Sequence, residues 1–184
     1  MRLLVDRVDS PLGTLVVIAS ESSLRALEFG DHPDRLHRLL KAHYGAYTLT
    51  PAADPGGFSG RIRSYFDGEV NALDLLPVAT GGTPFQRKVW AALRTIPAGL
   101  TLSYGGLAAR IGQPGASRAV GLANGANPLG IVVPCHRVIA ADGTLGGYGG
   151  GVERKRWLLR HEGVEVADRR RPVSLGGAGA TNTA

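Results

Sequence analysis

The chain contains one cysteine, Cys135, set in the run IVVPCHRVIA over residues 131–140. A thiol of ordinary pKa, about 8.5, is only a few per cent thiolate at neutral pH, and nearby cations raise that share. Pro134, His136 and Arg137 are poor companions for a cysteine that only fills space, so its neighbours point to a reactive thiol. Adjacent side chains on an extended segment face opposite sides. His136 is therefore expected not to touch the sulfur, and a bridging water is the simplest relay between them. A single thiol excludes an intramolecular disulfide and an all-cysteine metal site, and it argues against an oxidising compartment.

The surroundings of this run are basic. Residues 1–79 hold 8 basic and 10 acidic side chains, whereas residues 80–165 hold 10 basic and 4 acidic. Nothing acidic occurs between Asp74 and Asp142, a stretch that carries Arg87, Lys88, Arg94, Arg110, Arg118 and Arg137. A surface without carboxylates attracts phosphates without local repulsion, which nominates nucleic acid as the partner.

The elements that must position these groups follow from pattern. LLVDRV, TLVVIAS and LRALEF read as an antiparallel meander with turns at 9–13 and 21–23. Leu36, Leu39 and Leu40 give a short amphipathic helix over Pro33–Tyr44. A Pro/Gly/Asp loop over 51–57 precedes a second short helix near Phe58–Phe66. NALDLLPVA reads as a returning strand, and Ala79 to Gly82 as a linker. Thr83 is an N-cap with Pro84 in the first helical position, and Phe85, Val89, Trp90 and Leu93 make the apolar face behind it. Ser103 caps a helix through Arg110. Gly112 to Gly115 turn, and Ala116–Gly125 form another helix, which completes a helix-turn-helix arrangement. That second helix, ASRAVGLANG, offers Ser117, Arg118 and Asn124 among small residues, which suits close, sequence-independent approach to a narrow groove. Buried packing is the competing assignment, but Arg118 is costly to bury without a partner. LGGYGGG holds the single aromatic Tyr148. A last helix over 152–161 offers Val152, Trp157, Leu158 and Leu159 for packing.

At 184 residues, 43% hydrophobic, with 27 Gly and 11 Pro, the chain can bury a core while making many turns. No apolar run is long enough for a membrane span, and MRLLVDRVDS lacks a signal-peptide apolar region. The expected architecture is a two-domain α/β protein. Residues 1–79 form a supporting domain, a small antiparallel sheet with helices. Residues 80–165 form a mostly helical domain with the helix-turn-helix and short strands, and 166–184 a disordered tail.

Pro134-Cys135-His136-Arg137-Val138 resembles the active-site signature of the O6-alkylguanine-DNA alkyltransferases, the methylated-DNA–protein-cysteine methyltransferases. The resemblance extends through Thr83-Pro84-Phe85-Gln86-Arg87-Lys88-Val89-Trp90, Ser103-Tyr104-Gly105, Arg118-Ala119-Val120-Gly121, Asn127-Pro128, Gly147-Tyr148 and Leu158-Leu159-Arg160-His161-Glu162-Gly163. It is specific over about 80–163 and looser before that. It implies single-turnover DNA repair: Cys135 attacks the alkyl carbon on O6 of guanine, and by extension O4-alkylthymine, leaving a thioether. By the same resemblance Glu162 holds His136, which takes the thiol proton through a water. A carboxylate at a helix C-terminus is mildly disfavoured by the dipole, which itself argues for a specific role. Tyr104 would donate to the departing guanine and press the neighbouring phosphate, and Asn127 would shape the turn beneath the site. Arg118 would fill the gap left by the extruded nucleotide. Ser117, Ala119, Arg137 and Tyr104 would join it on the DNA, while Val138, Tyr148 and Gly149 would line the guanine pocket. Gly149 stands where some members carry a serine, so that serine's contacts do not transfer. Zinc sites of some relatives use N-terminal cysteines, which this chain lacks, so no metal or other cofactor is expected.

Two other classes compete. A helix-turn-helix regulator with a sensor cysteine would want base-reading side chains on its second helix and often a resolving thiol; both are missing. A cysteine hydrolase needs histidine close to sulfur and an oxyanion hole, which the Cys135–His136 adjacency disfavours. The reading that follows is a cytoplasmic, monomeric repair protein acting on double-stranded DNA, with cooperative assembly on DNA left open.

Overall fold

The computed structural model describes residues 1–166, so the expected tail lies, apart from Val166, outside the described residues. Strands β1 (Arg2–Val8), β2 (Leu15–Ala19) and β3 (Leu24–Phe29) form the expected antiparallel meander. Ser10 closes the first turn: its hydroxyl donates to the Gly13 carbonyl at 2.6 Å and accepts from the Leu12 amide at 3.2 Å. β2 is apolar at every position because both of its faces are covered. Leu15, Val17 and Ala19 join the main core, while Val16 and Ile18 pack with Leu36 and Leu40. Those leucines belong to α1 (Pro33–Tyr44), which begins at Pro33 as the pattern predicts.

Two parts of the N-terminal half differ from expectation. A fourth strand, β4 (Thr48–Pro51), pairs parallel with β1 and makes the sheet order β3-β2-β1-β4. Its residues are mostly exposed, so an edge strand of this kind shows no apolar alternation in sequence. NALDLLPVA is not a strand. It winds through turns with Leu75 94% exposed, and only Val78 bridges to Leu24. Pro77 has no N–H to offer a ladder, but its carbonyl accepts from Leu24 N at 2.9 Å. Helix α2 (Phe58–Phe66) lies on the sheet, pinned where the Ser59 hydroxyl donates to Asp6 Oδ2 at 2.6 Å. It buries Phe58, Ile62 and Tyr65.

Helix α3 (Pro84–Leu93) starts with a reciprocal cap. Gln86 N donates to Thr83 Oγ1 at 3.2 Å, and Thr83 N donates to Gln86 Oε1 at 2.8 Å. Strand β5 (Leu102–Ser103) runs into α4 (Tyr104–Arg110), where Ser103 Oγ accepts from Gly106 N at 2.9 Å. After a turn at Gly112, α5 (Ser117–Gly125) completes the helix-turn-helix. Strand β6 (Val138–Ile139) pairs parallel with β5, and α6 (Val152–His161) ends the described fold. On α6, Leu158 and Leu159 are fully buried, but Val152, expected to pack, is 41% exposed. The buried position one turn along is instead Lys155.

A single apolar cluster runs from Val17, Leu27 and Ile62 to Trp90, Leu107, Val120 and Leu158. Both halves of the chain therefore share one core. β3 is also stitched to the later chain, since Leu27 N donates to Pro128 O at 2.9 Å and Gly130 N to Leu27 O at 3.2 Å. Arg154 of α6 adds bonds to Leu12 O and Asp31 and lies 4.1 Å over the Phe29 ring.

The α3 cap is testable in isolation from the site. Thr83→Ala should lower unfolding free energy by about 1 kcal/mol, with Thr83→Ser close to neutral, as read from denaturant midpoints.

Candidate active site and nucleic-acid interface

The loop after α5 is built on Asn127, which is buried. Its Oδ1 accepts from Leu129 N at 2.9 Å, and its Nδ2 donates to Val133 O at 2.8 Å and to Cys135 Sγ at 3.3 Å. One amide thus closes the loop and addresses the sulfur. Ile131 within the loop has φ +72°, strained for a β-branched residue. Cys135–Arg137 is not extended, as the sequence led us to expect, but a 3₁₀ turn. At three residues per turn the side chains fan apart. Cys135, 8% exposed, reaches the cavity described below, while His136 and Arg137 turn inward.

The inward pair meets Glu162, the residue that ends α6. Glu162 Oε1 accepts from His136 Nε2 at 2.9 Å, Arg137 Nη2 at 2.9 Å and the Tyr65 hydroxyl at 2.8 Å. Oε2 accepts from Arg137 Nε at 2.9 Å, and Arg137 Nη1 donates to Ile96 O at 2.5 Å. Arg137, assigned to DNA above, is buried and committed to this carboxylate; it is not a DNA contact. Burial alone would raise the Glu162 pKa, but the hydrogen bonds from His136 and Arg137 and the Arg137 charge outweigh it and hold it at about 2. Burial pushes His136 below the ordinary imidazole range despite the opposing pull of Glu162, so the ring is neutral. Since Nε2–H donates to a carboxylate, Nδ1 carries the free lone pair, and Nδ1 has no partner within the described residues.

Cationic neighbours do not activate the thiol in the way the sequence implied. Burial raises the Cys135 pKa, and the Asn127 bond and the Lys155 and Arg35 charges only partly offset this. The group is a thiol at neutral pH and needs a base. Sequence reasoning missed three residues around the thiol and around Glu162. Tyr65 comes from α2. Lys155 Nζ donates to Val138 O at 2.6 Å, its pKa brought down to about 8 by burial. Arg35 of α1 pairs with Glu28 and donates to Gly125 O at 3.1 Å and Asn127 O at 3.2 Å. None lies in a chemical motif; each is revealed only by packing.

A cavity of about 380 Å³ opens over Cys135, walled by Tyr104, Gly121, Asn124, Tyr148 and Gly149. Val138 is not a wall, because its side chain is fully buried behind the turn. Burial pushes the Tyr104 phenol above its ordinary range, so Tyr104 is a neutral donor. The Tyr148 hydroxyl and the Asn124 amide are buried without a hydrogen-bond partner among the described residues.

Beside the cavity mouth, α5 buries Val120 and Ala123 and exposes Ser117, Arg118 and Ala119. Arg118 makes no hydrogen bond or ion pair among the described residues. Leu122, one turn on, is 72% exposed, an apolar residue that sequence alone would send to the core. The remaining cations divide. Lys88 is exposed, Arg110 donates to Thr95 Oγ1, and Arg94 ties down the NALDLLPVA segment through Asp74 O at 2.7 Å and Leu76 O at 2.9 Å. Among the described residues, no three His, Cys, Asp or Glu side chains converge as metal ligands. Among the described residues, no helix is long and apolar enough to cross a membrane.

Two family models match: the DNA binding domain of 6-O-methylguanine DNA methyltransferase over residues 84–164, and its ribonuclease-like domain over residues 4–80. The methylated-DNA–protein-cysteine methyltransferase of Shigella flexneri is 55% identical over 166 residues, covering 89% of this chain and 97% of that protein. The protein of that name from Mycobacterium bovis is 50% identical over 161 residues, 84% of this chain and 89% of its own. A crystal structure of Mycobacterium tuberculosis OGT in complex with DNA superposes with a TM-score of 0.72 at 44% identity, covering 88% of this chain and 92% of that one.

The buried pair makes stability depend on acid in a defined direction. Both groups have folded pKa values below their ordinary ones, so the unfolded chain binds more protons and stability falls as pH falls. The His136 part is fully present above 6.5 and is lost below it. The Glu162 part is present above 4.5 and is lost toward about 2. Melting temperature should therefore decline in two stages on acidification. His136→Asn should abolish the upper stage and leave the lower.

Proposed function

The chain belongs to the 6-O-methylguanine DNA methyltransferase family, and from that premise we propose that it repairs O6-alkylguanine in double-stranded DNA by taking the alkyl group onto Cys135. The observation that carries this reading is the placement of Cys135. It opens into a cavity of about 380 Å³ while the adjoining imidazole is anchored through Nε2 and keeps Nδ1 as a base. That volume lies within the range of about 300–1,000 Å³ expected of small-molecule sites.

The chemistry balances within the chain and the lesion. The thiol proton passes through one bridging water to His136 Nδ1, and the imidazolium is stabilised by Glu162. Sγ attacks the alkyl carbon; the S–C bond forms as the C–O6 bond breaks, and its electron pair goes to the guanine. Tyr104, a neutral phenol on the cavity wall, donates to the departing base. The products are guanine, once it regains a proton, and a thioether. No second thiol exists to reverse it, so each molecule acts once. Asn127 holds the sulfur's loop, and Tyr148 and Gly149 bound the base.

The target base must leave the stack to reach a sulfur recessed in this cavity. Arg118, exposed on α5 and without a partner among the described residues, occupies the space it vacates, with Ser117 and Ala119 allowing close approach. We assign DNA binding and transfer to residues 80–165, support to 1–79, and the cytoplasm as the compartment, with the protein acting as a monomer.

Intact-protein mass after mixing with an O6-methylguanine duplex should rise by one methyl group and then stop. Repeated turnover would overturn the reading, and Cys135→Ser should bind DNA without acquiring the methyl. Arg118→Ala should slow repair of duplex by on the order of tenfold or more, since flipping costs a few kcal/mol. Transfer from free O6-benzylguanine, which needs no flipping, should be unchanged; equal slowing of both would assign Arg118 to the pocket or the fold.

A further inference from the structure

We infer that Tyr65, on a helix of the N-terminal half, is a positioning residue for alkyl transfer, orienting Glu162 and through it the base His136. This rests on the reading of His136 as the group that takes the thiol proton. Tyr65 is buried, and its hydroxyl donates at 2.8 Å to Glu162 Oε1, the same oxygen that accepts His136 Nε2 at 2.9 Å. A carboxylate has about four lone-pair sites on its two oxygens. Arg137 bonds both oxygens while Tyr65 and His136 both converge on Oε1, so four hydrogen bonds from three side chains hold the carboxylate against turning. Because the imidazole is a rigid ring, holding Nε2 on this carboxylate also fixes the direction of the unpartnered Nδ1.

Tyr65 is itself fixed from behind. Its carbonyl lies 2.7 Å from His161 Nε2, its ring meets His161 and Phe66 edge-on, and His161 stacks on Trp157 at 4.8 Å. Burial and the Glu162 charge push the phenol far above its ordinary pKa, so it donates at every working pH. A tyrosine needed only to fill the core would serve equally as phenylalanine, whereas this hydroxyl is spent on the one carboxylate that holds the base.

The test uses the full chain and single-turnover kinetics on an O6-methylguanine duplex. Tyr65→Phe keeps the ring and removes the bond. It should lower the transfer rate constant at saturating DNA by about tenfold, a fraction of what a proton-transfer group contributes. The Kd for the duplex should stay within about twofold, since no DNA contact is touched. In a His136→Asn background, Tyr65→Phe should produce no further slowing, because the group through which it acts is gone. Equal slowing in both backgrounds, or a change confined to Kd, would overturn the proposal. Should His136→Asn itself transfer at the parent rate, the proton-relay reading fails, and that outcome is distinct. If Tyr65→Phe does not fold, His161→Phe keeps the stack on Trp157 and frees the Tyr65 carbonyl. The same loss of rate at unchanged Kd is then expected, and an unchanged rate would refute the inference.

Discussion

Glu162 is a carboxylate placed where two effects oppose it. It is buried, which disfavours charge, and it ends a helix, where the dipole is negative. Its ionisation is stable only because Arg137 grips it through two nitrogens while His136 and Tyr65 complete the shell. The dependence is mutual: Arg137 is buried too, and a buried charge left without its partner costs about 3–5 kcal/mol. This pairing draws three parts of the chain to one point: the end of α6, the reactive turn and α2. The turn can present Cys135 to the cavity because its next two side chains are anchored in the opposite direction.

That anchoring also decides how the sulfur is activated. A thiol can be made reactive by surrounding it with positive charge, and the residue names beside Cys135 read that way. In the folded chain His136 is neutral and Arg137 is already neutralised, so burial keeps the thiol protonated. A sulfur in this state becomes nucleophilic once a base takes its proton, the part proposed for His136. For a group that can react only once, protection until a lesion is in place is a physical advantage.

The N-terminal half enters the site through contacts rather than chemistry. Arg35 holds the carbonyls at the end of α5 and at Asn127, β3 pairs with the segment after Asn127, and Tyr65 reaches the carboxylate. Together with the continuous core, these contacts make the loop carrying a strained Ile131 rigid. Helix α5, proposed to face the DNA, is treated differently. Its buried side is Val120 and Ala123, and its outer side is left small apart from Arg118 and Leu122, so the duplex can approach the backbone closely.

The sequence by itself determined most of what local chemistry controls, the turn at Cys135–Arg137 excepted. Caps at Thr83 and Ser103, the meander, the helices at 33–44 and 58–66, and the helix-turn-helix all follow from side-chain period and from groups bonding within a few residues. The lone thiol, its motif and the acid-free stretch were legible for the same reason, since composition needs no fold. Tertiary structure alone decided the rest. β4 carries no alternation because an edge strand is held by its neighbour, and NALDLLPVA carries some but finds no neighbour beyond Val78. Arg137 looked like a surface cation because a sequence shows charge and not the partner that neutralises it. The roles of Tyr65, Arg35 and Lys155 are set by contacts with residues tens of positions away or by burial, and no period or spacing encodes which distant atoms packing will bring within 3 Å.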